Sequence, residues 1–235
     1  MRLLLLSNSR NVGGEYLAHA EGAITAFLGK SVERVLFVPF AAVRVSYDEF
    51  AAAVAKRFGE LGYGVESVHA QADPAAAVAR AQAIIVGGGN TFHLLKQLYD
   101  AGLVEAIRAR TRGGVPFLGW SAGANIAGPS IRTTNDMPVV QPPSFDALGL
   151  VPFQINPHYT DGRIPNHAGE TRAERLLEFV TANPGMPVVG LREGSVLRVE
   201  GRTLELLGEQ PARVFVSGRE PSEHEPGSSL QFLMS

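Results

Sequence analysis

The sequence predicts an α/β fold, with a single domain over residues 1–235 and a mostly parallel sheet covered on both faces. Short apolar runs alternate with longer amphipathic segments, as strands and crossover helices do. The runs are almost uninterruptedly hydrophobic, the pattern of strands buried on both sides. Apolar residues make up 45% and charged residues 19% of 235 positions, enough for a sizeable core and too hydrophobic for a disordered chain.

The first strand is expected at Leu3–Leu6. Its surroundings, one basic residue and four leucines before Ser7-Asn8-Ser9-Arg10, are too short for the core of a signal peptide. Further strands are expected at Val35–Val38, Val65–Val68, Ala83–Val86 and Val115–Leu118. Ser46-Tyr47-Asp48-Glu49 has the spacing at which a serine and a glutamate satisfy each other's free amides at a helix start. Asp73-Pro74 offers a cap followed by proline at the first helical position, where the missing N–H is no loss. Phe92–Tyr99 reads as a helix, and Gly128–Ser144, rich in Pro, Thr, Asn and Asp without a period, as an ordered loop. Loops of that length in compact domains are often functional. A helix over Glu170–Thr181, a strand near Val188–Leu191, and a hairpin from Val196–Val199 through Glu200-Gly201 into Thr203–Leu207 make the carboxyl end mostly β. Ser217–Ser229 reads as a polar tail, and no repeat or linker divides the chain.

A net charge of −2 leaves no positive field to attract nucleic acid or an acidic membrane, so small molecules are the expected partners. The absence of cysteine removes disulfides, thiolate metal sites and a cysteine nucleophile. No window approaches the roughly 18 apolar residues of a membrane span, and a cytoplasmic location is expected.

Gly119-Trp120-Ser121-Ala122-Gly123 follows one apolar run and precedes small, helix-compatible residues. This G-x-S-x-G pattern is that of a nucleophile elbow: the glycines allow a sharp strand-to-helix turn that exposes the serine oxygen. Amides after the serine, Ala122 first, then become oxyanion donors. Gly87-Gly88-Gly89-Asn90-Thr91 ends a neighbouring strand at the same sheet edge, where Gly88 or Gly89 can supply a second donor. It lacks the spacing of a phosphate-binding loop, because position 92 is Phe. Among six histidines, His158 is preferred as base because it lies just past the apolar run Phe153-Gln154-Ile155. His19 and His93 fall in expected helices, His69 ends a strand, His224 lies in the tail, and His167 is the close rival. Asp136 and Glu193 both qualify as the acid that orients the base, and residue spacing leaves the choice open.

Taken in order, several motifs resemble the peptidase E (aspartyl dipeptidase) family, a serine branch of the class I glutamine amidotransferase-like superfamily. They are Ser7-Asn8-Ser9, Val38-Pro39-Phe40-Ala41, Ile85 to Thr91, Gly119 to Asn125, Thr133 to Pro138, Asn156-Pro157-His158-Tyr159 and Gly190 to Gly194. The resemblance implies a three-layer α/β/α sandwich and metal- and cofactor-free cleavage of dipeptides and short peptides that begin with aspartate. It carries the nucleophile onto Ser121 and the base onto His158, and leaves Asp136 and Glu193 both open, with Asp136 slightly preferred. Small peptides with an amino-terminal aspartate are then the partners, and a monomer or homodimer the expected state. A cyanophycinase-like hydrolase is the nearest alternative; a serine esterase and a non-catalytic binding domain lie further off. Preference for aspartate calls for a fixed cation, and Arg172 is chosen over Arg132, Arg163 and Arg192 because it opens a helix shortly after His158. Asn90, Thr134 and Tyr159 are the neutral groups expected to assist.

Overall fold

Leucines at positions 3 to 6 alternate in direction, as strand geometry requires, and each pair finds a separate core. Leu4 and Leu6 pack with Ile24, Phe27, Val54 and Phe58, whereas Leu3 and Leu5 pack with Val78, Leu94, Leu98 and Ile107. The sheet therefore has a helical layer on each face. The computed structural model describes residues 1–163 and 168–234.

Seven strands form the main sheet in the order β3-β2-β4-β5-β1-β8-β9. They are β1 (Arg2–Leu6), β2 (Arg34–Val38), β3 (Gly64–Ser67), β4 (Ile84–Val86), β5 (Phe117–Trp120), β8 (Ser195–Glu200) and β9 (Thr203–Gly208). The first five run parallel, while β8 and β9 form an antiparallel hairpin laid along β1. Helices α1 (Glu21–Leu28) and α2 (Tyr47–Glu60) cover one face; α3 (Pro74–Arg80), α4 (Thr91–Asp100) and α5 (Leu103–Arg112) cover the other. The expected three-layer α/β/α sandwich with a mostly parallel sheet is what forms. Both helix starts read from the sequence are present: Ser46 and Glu49 make a reciprocal capping box, and Asp73 accepts from the Ala76 amide ahead of Pro74.

The strand expected at Val115–Leu118 lies two residues later, because Val115-Pro116 precedes the ladder and proline has no N–H to give it. The helix expected at Glu170–Thr181 is α7 (Arg172–Ala182), since Thr171 and Glu174 cap it. The tail is more than polar coil. Ser222–His224 is strand β11, which pairs with β10 (Ala212–Phe215), and Leu230 and Leu233 are buried.

That edge belongs to a second sheet that the sequence did not announce, in the order β11-β10-β7-β6, where β6 is Gln154–Asn156 and β7 is Val188–Leu191. Parallel β6 and β7 end at the same edge. Residues Arg192-Glu193-Gly194 link β7 to β8, and so join the small sheet to the large one. Between β5 and β6, a four-residue helix α6 (Ala122–Asn125) leads into a long irregular segment closed on itself by the Ser130–Asp146 bridge.

Candidate active site

Ser121 follows β5 directly and has φ 54° and ψ −114°, a conformation that L-residues avoid. Close packing imposes the turn. A Cβ on Gly119 would stand 2.3 Å from the Gly123 carbonyl oxygen, and one on Gly123 would stand 2.2 Å from that of Val86. The two glycines of the motif thus let α6 press against β4 and β5. The Ser121 amide continues the β1 ladder to Leu6 O at 3.0 Å, and its carbonyl accepts from the amides of Ala124 and Asn125.

His158 stands just beyond β6 and also has positive φ, 53°. Its Nε2 lies 2.9 Å from Ser121 Oγ and its Nδ1 2.8 Å from Glu193 Oε1. With the Nδ1 proton donated to the carboxylate, the Nε2 lone pair faces the serine hydroxyl, the tautomer a general base requires. The side chains of His158 and Glu193 are 40% and 47% exposed, so a substrate can reach the line they form with Ser121.

Two further residues, neither of them expected at the site, hold this line in place. The buried Ser7 hydroxyl, at the end of β1, accepts from the His158 amide at 2.8 Å and donates to Leu191 O at 2.8 Å. Asn8 Oδ1, also buried, accepts from the Gly194 amide at 2.8 Å, fixing the turn that bears Glu193. The available signal was two polar residues closing an otherwise apolar strand on the active edge.

Gly88 packs against Ser121, since a Cβ there would come within 2.9 Å of Ser121 Cβ. Among the described residues, the amides of Gly88, Gly89 and Ala122 enter no backbone hydrogen bond, which leaves them open as anion donors. Trp120 forms the floor, stacked on Phe37 and edge-on to Tyr16. The cleft above Ser121 has a volume of about 560 Å³ and includes Gly88, Gly89, Asn90 and His158.

The other expected site residues are engaged elsewhere. Asp136 Oδ2 accepts from the Thr91 amide at 2.8 Å, the Thr91 hydroxyl at 2.6 Å and the Thr134 hydroxyl at 3.1 Å, so it pins the long loop to the start of α4. No hydrogen bond joins it to His158. Asn90 caps α4 through its Oδ1 and gives one amide proton to Met137 O. Tyr159 is buried, with its hydroxyl on Asp161. Burial alone would raise the Asp161 carboxyl, but hydrogen bonds from Arg192 and its neighbours hold it below its usual range. Arg192 is consumed by Asp161 and Glu223, and Arg132 by Asn183 and the Phe179 ring. Arg172 makes no hydrogen bond or ion pair among the described residues, and burial pushes its guanidinium down. It lines a separate pocket of about 170 Å³ that begins at Thr160 and also contains Arg163 and Arg175. Of the remaining histidines, His69 sits between Ser67 and Asp48, His93 on Phe40 O and His224 on Ser222, while His167 lies outside the described residues.

Comparison with known proteins points the same way as this geometry. The profile of peptidase family S51 matches residues 3–207. The chain is 47% identical over 233 residues to a protein of a Nostoc species named peptidase E, covering 99% of this chain and 96% of that one. It is likewise 47% identical over 231 residues to the peptidase E of Shewanella oneidensis, covering 98% of each. Among solved structures, a peptidase from an acI-B1 actinobacterium superposes with a TM-score of 0.71 at 20% identity, covering 97% of this chain and 96% of that one. A peptidase E candidate from Listeria monocytogenes superposes with a TM-score of 0.67 at 22% identity, covering 89% and 98%. These two likenesses concern the fold.

Proposed function

This chain belongs to peptidase family S51, and we propose that it is a serine dipeptidase for peptides beginning with aspartate, with Ser121, His158 and Glu193 as its catalytic groups. The observation that carries the proposal is the unbroken hydrogen-bonded line from Glu193 through both nitrogens of His158 to Ser121. In the reaction, Ser121 Oγ bonds to the scissile carbonyl carbon while its proton passes to His158 Nε2, and Glu193 stabilises the imidazolium. The carbonyl oxygen, now negative, is received by the amides of Ala122 and of Gly88 or Gly89. The carbon–nitrogen bond then breaks, the leaving amine takes the proton from Nε2, and an aspartyl ester remains on Ser121. Water attacks that ester by the same path and frees aspartate.

For the aspartyl side chain we assign Arg172, supported by its half-buried guanidinium, unpaired among the described residues, in the pocket that starts two residues after His158. Asn90 lines the cleft with an amide proton to spare; the Thr134 hydroxyl is committed to Thr91 and Asp136, which makes it a support for the loop. We infer a cytoplasmic location for the reaction. Among the described residues no helix is long and apolar enough to cross a membrane.

Turnover of an aspartyl p-nitroanilide tests the reading. Ser121→Ala is expected to fold and to lose at least about a thousandfold in kcat, and Arg172→Met to narrow the preference for the aspartyl over the asparaginyl substrate. Near-wild-type turnover in Ser121→Ala would sink the assignment, and faster cleavage of simple p-nitrophenyl esters than of any aspartyl amide would make the protein an esterase.

A further inference from the structure

Arg44 lines the Ser121 cleft and is used by nothing described so far. It is exposed and forms no hydrogen bond or ion pair among the described residues. Around it the cleft is apolar. Val43, Val45 and Val139 are 53%, 52% and 54% exposed, and Phe50 and Tyr16 continue the wall. Large aliphatic side chains grouped in the open around a catalytic serine mark a surface that a ligand covers. His158, whose Nε2 proton must reach the leaving amine, lines the same cleft.

Resting on the aspartyl dipeptidase reading, we propose that Arg44 binds the terminal carboxylate of the residue that leaves, while Val43, Val45 and Val139 receive its side chain. The enzyme would then favour true dipeptides with an apolar second residue. The planar guanidinium can give a carboxylate two parallel hydrogen bonds, and its charge does not vary with pH. Its exposure decides which of the substrate's two carboxylates it takes. Distinguishing aspartate from its amide isostere requires a cation shielded from water, because exposed charge pairs contribute little. Half-buried Arg172 meets that requirement better than Arg44 does. A chain terminus needs only to be held at the rim, and the cleft provides there, beside an apolar wall, a cation that is free among the described residues.

The test compares kcat/KM for Asp-Leu and for Asp-Leu amide in the wild type, Arg44→Met and Arg44→Lys. The wild type should favour the acid about two- to fivefold. Arg44→Met should lose that preference through the KM of the acid, and Arg44→Lys should restore part of it. Asp-Leu should also surpass Asp-Gly about tenfold in the wild type; equal values would remove the apolar wall from the proposal. A preference for the acid that persists in Arg44→Met overturns the role of Arg44. An equal loss on acid and amide overturns it as well, since Arg44 would then act on a part the two substrates share. Failure of the aspartyl reading itself looks different: the wild type would cleave neither substrate, and the proposal would fall with that reading.

Discussion

Glu193 holds the Nδ1 of His158 while Asp136 holds the first residue of α4, and losing either carboxylate should have different effects. On the proposed mechanism, Glu193→Gln removes the charge that stabilises the imidazolium and lets the ring take the wrong tautomer. A loss of about a hundredfold to ten-thousandfold in kcat is expected, with little change in melting temperature. Asp136→Asn weakens the anchoring of a loop at a helix start, so about 1 kcal/mol of stability should go and less than about tenfold in kcat. Steady-state kinetics and thermal denaturation of the two variants check this, and a larger kinetic loss for Asp136→Asn would exchange the two roles. The sequence could not separate these acids, because each lies in a loop after a strand or helix and only long-range placement decides which meets His158. The serine and histidine were legible for the opposite reason, since the glycines around Ser121 and the apolar run before His158 are local features.

Two backbone carbonyls enforce the elbow element, and alanine at position 123 has no room beside Val86 O. Gly123→Ala is expected to destabilise the protein by about 1–3 kcal/mol and to lower activity, as overpacking shifts α6 against β4. Denaturant unfolding reads the first effect; unchanged stability would show that α6 can retreat without cost. Ser121 itself sits in a disfavoured conformation that costs on the order of 1–3 kcal/mol, and the hydrogen bond its N–H donates to Leu6 O, with the two its carbonyl accepts, helps hold it there. The capping signals of α2 and α3 and the alternation of the parallel strands were readable because each lies within a few residues of chain. The small sheet was not. Only β7 was expected, as the strand near Val188–Leu191; β6 and β11 have three residues each and β10 four, too short to show a period. Their pairing joins residues far apart in sequence, which no local propensity encodes.

On the scale of the whole molecule, Ser121 stands at the end of a strand of the seven-stranded sheet, whereas His158 stands just beyond an edge of the four-stranded sheet and Glu193 on the link between the two. Ser7 and Asn8, at the end of β1, fasten the two sheets at that place. Enzymatic activity should therefore be lost on heating before the parallel core melts, since smaller, locally held units open first. Ser7→Ala should widen the interval between the two midpoints. Residual activity and far-ultraviolet circular dichroism along one temperature ramp would show it, and coincident midpoints in both proteins would refute it.

Fastening a proton path across a joint makes the enzyme fail safe. In a copy whose joint has slipped, Ser121 and the imidazole of His158 no longer meet, and on the proposed mechanism that copy is inactive. The hydroxyl of Ser7, which touches the His158 backbone and not its ring, is the fuse of that circuit.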